Sequence, residues 1–139
     1  MFFDEDLMLD IRLNTLNNVV DKFIIAEGTR DHAGNEKKLN FDINKYKKFK
    51  NKIKYLVVED IPKEISFFKK GWEPSHIRDQ FQRNALSRSF VDLQDNDLIM
   101  ISDIDEIPRP EKISDFQVKN HYGCFILNNY QSKFNQINI

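Results

Sequence analysis

The sequence predicts an α/β sandwich built on a mainly parallel sheet, and three observations carry that prediction. Short apolar runs at residues 23–26, 53–58 and 98–101 have the length of buried strands rather than of helices. Segments with helical spacing of apolar residues lie between them. Each run also stops at acid: Glu27, Glu59-Asp60 and Asp103. Open parallel sheets bind ligands beyond the carboxyl ends of their strands, so these acids put polar chemistry along one sheet edge.

The elements follow in order. From about Glu5 to Val20, Leu9, Leu13, Leu16 and Val20 recur at three- and four-residue spacings, which predicts the first helix. Phe23-Ile24-Ile25-Ala26-Glu27 is the first strand, and Thr29 to Leu39, with Gly34 and Asn35, has the composition of a loop. In the lysine-rich stretch from Lys45 to Lys54, Tyr46 and Phe49 can pin a short helix to the core, the lysines forming its solvated face. Ile53 to Val58 is the second strand, stopped by Glu59-Asp60 and Pro62. Ile61 to Trp72 has no period and reads as a loop with an aromatic cover from Phe67 and Phe68. A second amphipathic helix runs from His76 to about Asp92, with Ile77, Phe81, Ala85 and Phe90 on or near one face and Ser75 as its N-cap. After the turn at Asp95-Asn96, Leu98-Ile99-Met100-Ile101 is the third strand and Phe125-Ile126-Leu127 a fourth.

Bulk properties narrow the function classes. A composition 40% hydrophobic and 31% charged is that of a soluble globular domain, and 139 residues suffice for one core. A net charge of -1 gives no general reason to expect a nucleic-acid partner. No apolar stretch approaches the roughly 18–20 residues that span a bilayer, and the N-terminus is acidic where a secretory signal is basic. The reading is therefore soluble and cytoplasmic, with no membrane segment; a chain trimmed of such segments would read the same. Cys124 is the sole cysteine, so no intramolecular disulfide forms, and it reads as a small core residue. His32, His76 and His121 lack metal-ligand spacing, Trp72 reads as a core or lid aromatic, and Arg12 as a structural partner of Asp10 or Asp21.

The segment Leu98-Ile-Met-Ile-Ser-Asp-Ile-Asp-Glu-Ile-Pro108 carries the most chemistry. Side chains of an extended segment alternate, so Asp103 and Asp105 point one way and Ile104 into the core. Two converging carboxylates repel unless a counter-charge sits between them, and a hard cation such as Mg²⁺ or Mn²⁺ supplies it. Such a cation can hold a diphosphate and stabilise it as a leaving group. A solvated acidic turn is the plain alternative. A haloacid-dehalogenase-type phosphatase also places Asp-X-Asp after a hydrophobic strand, but Ile107 stands where its Thr or Val belongs, and little chain remains for its later motifs.

Three stretches together resemble glycosyltransferase family 17, a beta-1,4-N-acetylglucosaminyltransferase family. The first is Phe2-Phe-Asp-Glu-Asp-Leu-Met-Leu-Asp-Ile-Arg-Leu-Asn-Thr-Leu16, running through Val19-Val20-Asp21 to Phe23-Ile-Ile-Ala-Glu27. The second is His32-Ala-Gly-Asn-Glu-Lys-Lys-Leu39, and the third is Phe81-Gln-Arg-Asn-Ala-Leu86 followed by Ser102-Asp-Ile-Asp-Glu-Ile-Pro-Arg-Pro110. The resemblance covers most of residues 2 to 110, in order and at similar spacing.

It implies a GT-A fold, a Rossmann-like domain that binds a nucleotide sugar through an Asp-X-Asp metal site. The implied reaction moves N-acetylglucosamine from UDP-GlcNAc to a glycan hydroxyl with inversion, aided by Mn²⁺ or Mg²⁺. Asp103 and Asp105 take the metal-diphosphate role, Glu27 lies near the nucleotide, and Arg83 and Asn84 contact the donor's phosphate or sugar. A general base falls after Asp105, among Glu106, Glu111 and Asp115, with Glu106 the nearest, or beyond Ile139. Residues 1–139 then form one glycosyltransferase domain. Family members continue past the metal motif through an acceptor-binding region, so the C-terminus is expected to be incomplete, and the first strand could be cut short. A sugar-nucleotide-binding fragment with no turnover of its own is the second reading.

Overall fold

The computed structural model describes residues 2–65, 74–117, 122–127, 129–130 and 137–138. Helix α1 spans Asp6–Leu16 and buries Leu9, Leu13 and Leu16, one stripe at four- and three-residue steps. Each such leucine contributes about 1.5–3 kcal/mol by leaving water. Lys52 donates to the Asn17 and Val20 carbonyls (2.6 and 2.8 Å), placing a cation at the helix C-cap and in the turn that follows. Lys45 pairs with Asp6, and Lys48 donates to Asn14 at 2.7 Å. Part of the lysine-rich stretch therefore grips α1 rather than only facing solvent.

Strands β1 (Phe23–Gly28) and β2 (Ile53–Val58) pair in parallel, from Phe23 opposite Ile53 to Gly28 opposite Val58. The amide of Phe2 donates to the Ala26 carbonyl (2.9 Å), so residue 2 also engages β1. Alternation along the strands divides the packing into two clusters. Phe23 and Ile25 join the α1 leucines, Phe2, and Tyr46 and Phe49 of the 3-10 helix Ile43–Phe49. Val58 and Leu56 face the other way, against Ile61, Ala85 and Phe81. Tyr46 and Phe49 are buried, as their spacing predicts.

Helix α2 covers Pro74–Ala85 and continues as a 3-10 turn, Leu86–Ser89, instead of running on as α-helix to Asp92. Ser87 donates its hydroxyl to the Asn84 carbonyl (2.9 Å), and such back-bonding accompanies the tightened end. Ser75 stands inside the helix and is not its N-cap; Pro74 opens it, where a missing N–H costs nothing. A short helix α3 spans Pro110–Ser114, and β3 (Asn129–Tyr130) and β4 (Ile137–Asn138) make a two-residue antiparallel ladder.

The fold is mixed α/β, but its parallel sheet has two strands among the described residues. The expected third strand carries no ladder: of Leu98, Ile99, Met100 and Ile101, only Met100 packs on the core. An apolar run satisfies the pattern of a strand whether or not a neighbouring edge exists to pair with it. Residues 125–127 are likewise outside any strand, Phe125 resting on Phe116 (5.1 Å between rings), and Cys124 is exposed rather than in the core. Phe67, Phe68, Trp72 and His121 lie outside the described residues. Among the described residues no helix is long and apolar enough to cross a membrane.

Glu27 is the buried charge around which the end of β1 is built. Its side chain is wholly inaccessible and accepts from Lys37 Nζ (2.5 Å), the Asn40 and Phe41 amides (2.8 and 3.1 Å) and Tyr55 Oη (2.8 Å). Burial alone would raise its pKa, but these bonds outweigh burial and hold it below the ordinary 4.5. A depressed folded pKa stabilises the fold above the ordinary value, and that contribution fades as pH falls through the folded one. Glu27→Gln should therefore cost about 3–5 kcal/mol at neutral pH, the cost of breaking a buried pair, read from urea unfolding. The gap to wild type should narrow in acid; a gap independent of pH contradicts the assignment.

Candidate functional site

A cleft of about 500 Å³ opens past the end of β1, between α1 and α2. Its floor is Gly28, and a side chain there would collide with Ile61. Lys37, Arg30 and His32 border it from the loop after β1, and Arg78 and Asp79 from α2. Asp103, Ile104 and Asp105 close the remaining side.

The structure thus brings Asp103 and Asp105 to the same cleft, but by a different route from strand alternation. The segment turns: Glu106 N–H donates to the Asp103 carbonyl (3.2 Å) and Ile107 N–H to that of Asp105 (3.1 Å). Ile104 packs on the core, as expected, and pins the turn. Arg12 does the rest. Its guanidinium donates to the carbonyls of Asp103 (2.8 Å), Ile104 (3.3 Å) and Glu106 (2.9 Å) and to Ser102 Oγ (2.5 Å). It pairs with neither Asp10 nor Asp21 but braces the acidic turn. Burial pulls the Arg12 pKa down while Glu106, Asp103 and Asp105 push it up; an arginine stays protonated throughout. Its sequence signal is placement: Arg12 lies three residues after Leu9 and four before Leu16, beside the buried stripe of α1.

Arg83 also reaches the pair, with Nη2 at 3.0 Å from Asp103 Oδ1 and 3.6 Å from Asp79. Asn84 is exposed and does not line the cleft. Glu106 is exposed as well; its carboxylate accepts the Asp103 N–H at 3.0 Å. Glu27 lies beneath the cleft rather than in it, joined to the lining through Lys37. Asp103 and Asp105 are two oxygen-bearing groups suited to a hard cation that completes its shell with phosphate and water. Among the described residues no group of three His, Cys, Asp or Glu side chains assembles.

Arg78 was not signalled as functional by any motif. It is 6% exposed, and its guanidinium donates to the carbonyls of Pro62 (3.0 Å), His32 (3.1 Å) and Lys63 (2.5 Å). Gly34, at φ +92°, passes so close that a Cβ would lie 2.6 Å from Nη2, so glycine is required there for both conformation and space. A cation on the same helix stripe as Phe81 and Ala85 was the available clue.

No curated protein and no solved structure matches the chain. A family model does, over residues 1–135, which include the cleft, the Arg12 brace and the acidic turn. That match decides against the haloacid-dehalogenase reading of Asp103 and Asp105. With a family model spanning nearly its whole length, the chain belongs to glycosyltransferase family 17.

Proposed function

We propose that this glycosyltransferase is an inverting, metal-dependent N-acetylglucosaminyltransferase that uses UDP-GlcNAc as donor and a glycan hydroxyl as acceptor. The observation that carries the reading is the convergence of Asp103 and Asp105 on the cleft past β1, in a chain of this family. The two parallel strands and the helices on either side of them fit the core of a GT-A-like domain. In this reading the acceptor oxygen forms a bond to the anomeric carbon as the bond to the diphosphate breaks. The acceptor proton passes to a base, and UDP carries the leaving electron pair.

Held by Asp103 and Asp105, Mn²⁺ or Mg²⁺ would offset the charge gathering on the departing diphosphate. Arg83, already paired with Asp103, adds a guanidinium able to meet phosphate with two parallel bonds. Asn84 follows it on α2 but stands exposed outside the cleft, and no donor contact is assigned to it. Glu27 acts from below, holding Lys37 at the edge of the cleft. The base is assigned to Glu106, which is exposed, lies next to the metal pair and makes no salt bridge among the described residues. Its bond to the Asp103 amide orients it without neutralising it.

Calorimetric titration of UDP-GlcNAc, with and without Mn²⁺, tests the donor site. Mn²⁺ is expected to strengthen binding in the wild type and to have no effect in Asp103→Ala/Asp105→Ala; an equal Mn²⁺ effect in both proteins overturns the metal role. Glu106→Gln separates binding from chemistry. It should keep donor affinity within about twofold while transfer falls on the order of 10²- to 10⁴-fold, the usual worth of a general base. Transfer at the wild-type rate would remove Glu106 from that role.

A further inference from the structure

We infer that Arg78, in addition to the Arg83 assigned above, recognises an anion in the cleft, and that the anion is the diphosphate of the donor; this last clause rests on the proposed donor. The argument begins with charge balance. The other cations that line the cleft or pair with its acids each have a carboxylate: Arg30 with Glu36 at 3.0 Å, Lys37 with Glu27 at 2.5 Å, and Arg83 with Asp103 at 3.0 Å. Arg78 has none within salt-bridge distance among the described residues, although it is more than nine-tenths buried. A guanidinium does not shed its proton, so the charge stays when water leaves. Burying it without a counter-charge is unfavourable, and a neutral donor could have tied the same carbonyls together.

Donor count gives the second step. A guanidinium carries five N–H bonds, and the carbonyls of Pro62, His32 and Lys63 engage one each on Nε, Nη1 and Nη2. One N–H remains on each terminal nitrogen, a donor that an oxygen of a phosphate group can accept from. The three carbonyls come from two loops, one after β1 and one after β2, so the guanidinium is held in place before a ligand arrives. Gly34 leaves the room this placement needs. Arg78 lines the cleft that Asp103 and Asp105 also line, so one diphosphate held by the acidic pair lies within the same cavity.

Inorganic pyrophosphate without added metal is the first probe, because it needs neither the uridine nor the sugar. Wild type should bind it, and Arg78→Gln, which keeps two amide donors but no charge, should bind roughly 10- to 100-fold more weakly, the loss of one charge-assisted pair. Arg78→Lys keeps the charge without the fork and should fall between them. Uridine alone should bind all three proteins equally, which a merely structural loop tie would not give. If Arg78→Gln unfolds, the Arg78 guanidinium resonance of isotope-labelled wild type decides: it should shift on pyrophosphate addition, and a fixed resonance overturns the proposal. Pyrophosphate binding that is absent, or equal in wild type and Arg78→Gln, also overturns it. Arg78-dependent pyrophosphate binding with no binding of UDP-GlcNAc upholds the anion site and refutes the donor reading alone.

Discussion

The site depends first on the bonds that Arg12 makes across the molecule. Residues 98–107 belong to no ladder, so no strand partner fixes where the acidic turn lies. A guanidinium reaching from α1 to three carbonyls and a hydroxyl of residues 102–106 does so instead. A planar fork with five N–H donors can serve several acceptors of a turn at once in a fixed geometry. The positive charge of Arg12 also interacts favourably with Glu106, Asp103 and Asp105. Because Leu9, Leu13 and Leu16 anchor the helix that carries Arg12, core packing is transmitted directly to the chemistry-bearing turn.

Two buried charges organise the opposite walls. Glu27 gathers Lys37, Asn40, Phe41 and Tyr55, which fastens the segment after the first loop to both parallel strands. Arg78 ties the loops at residues 32 and 62–63 to α2. Each of these three residues makes hydrogen bonds to backbone groups of loops or turns. The cleft is thereby bounded by loops that buried ions hold, a rigid frame of the kind that favours orientation of a bound substrate.

Local periodicity made much of this legible. The leucine stripe of α1, the two parallel strands and the pair Tyr46 and Phe49 follow from spacing alone, because burial imposes period on sequence. The acidic pair and the family were also readable, since Asp103 and Asp105 sit in an ordered set of motifs. What spacing could not reveal was pairing. Leu98 to Ile101 has the composition of a strand, yet Leu98, Ile99 and Ile101 are exposed, because a ladder needs an edge that a local pattern does not report. Nor could spacing identify the partners of Arg12 and Arg78, which lie about 90 and up to 46 residues away. Long-range bonds from a charged side chain to backbone carbonyls leave almost no trace in composition, apart from a cation on an otherwise apolar helix stripe.

The most direct test of this account is the affinity for UDP-GlcNAc, with Mn²⁺ present, of an Arg12→Lys protein set beside wild type. Lysine keeps the charge but cannot reach the carbonyls of Asp103, Ile104 and Glu106 together. The account predicts that the variant stays folded while donor affinity drops at least about tenfold, because the acidic turn is no longer held at the cleft. Undiminished affinity in a folded Arg12→Lys protein would contradict it.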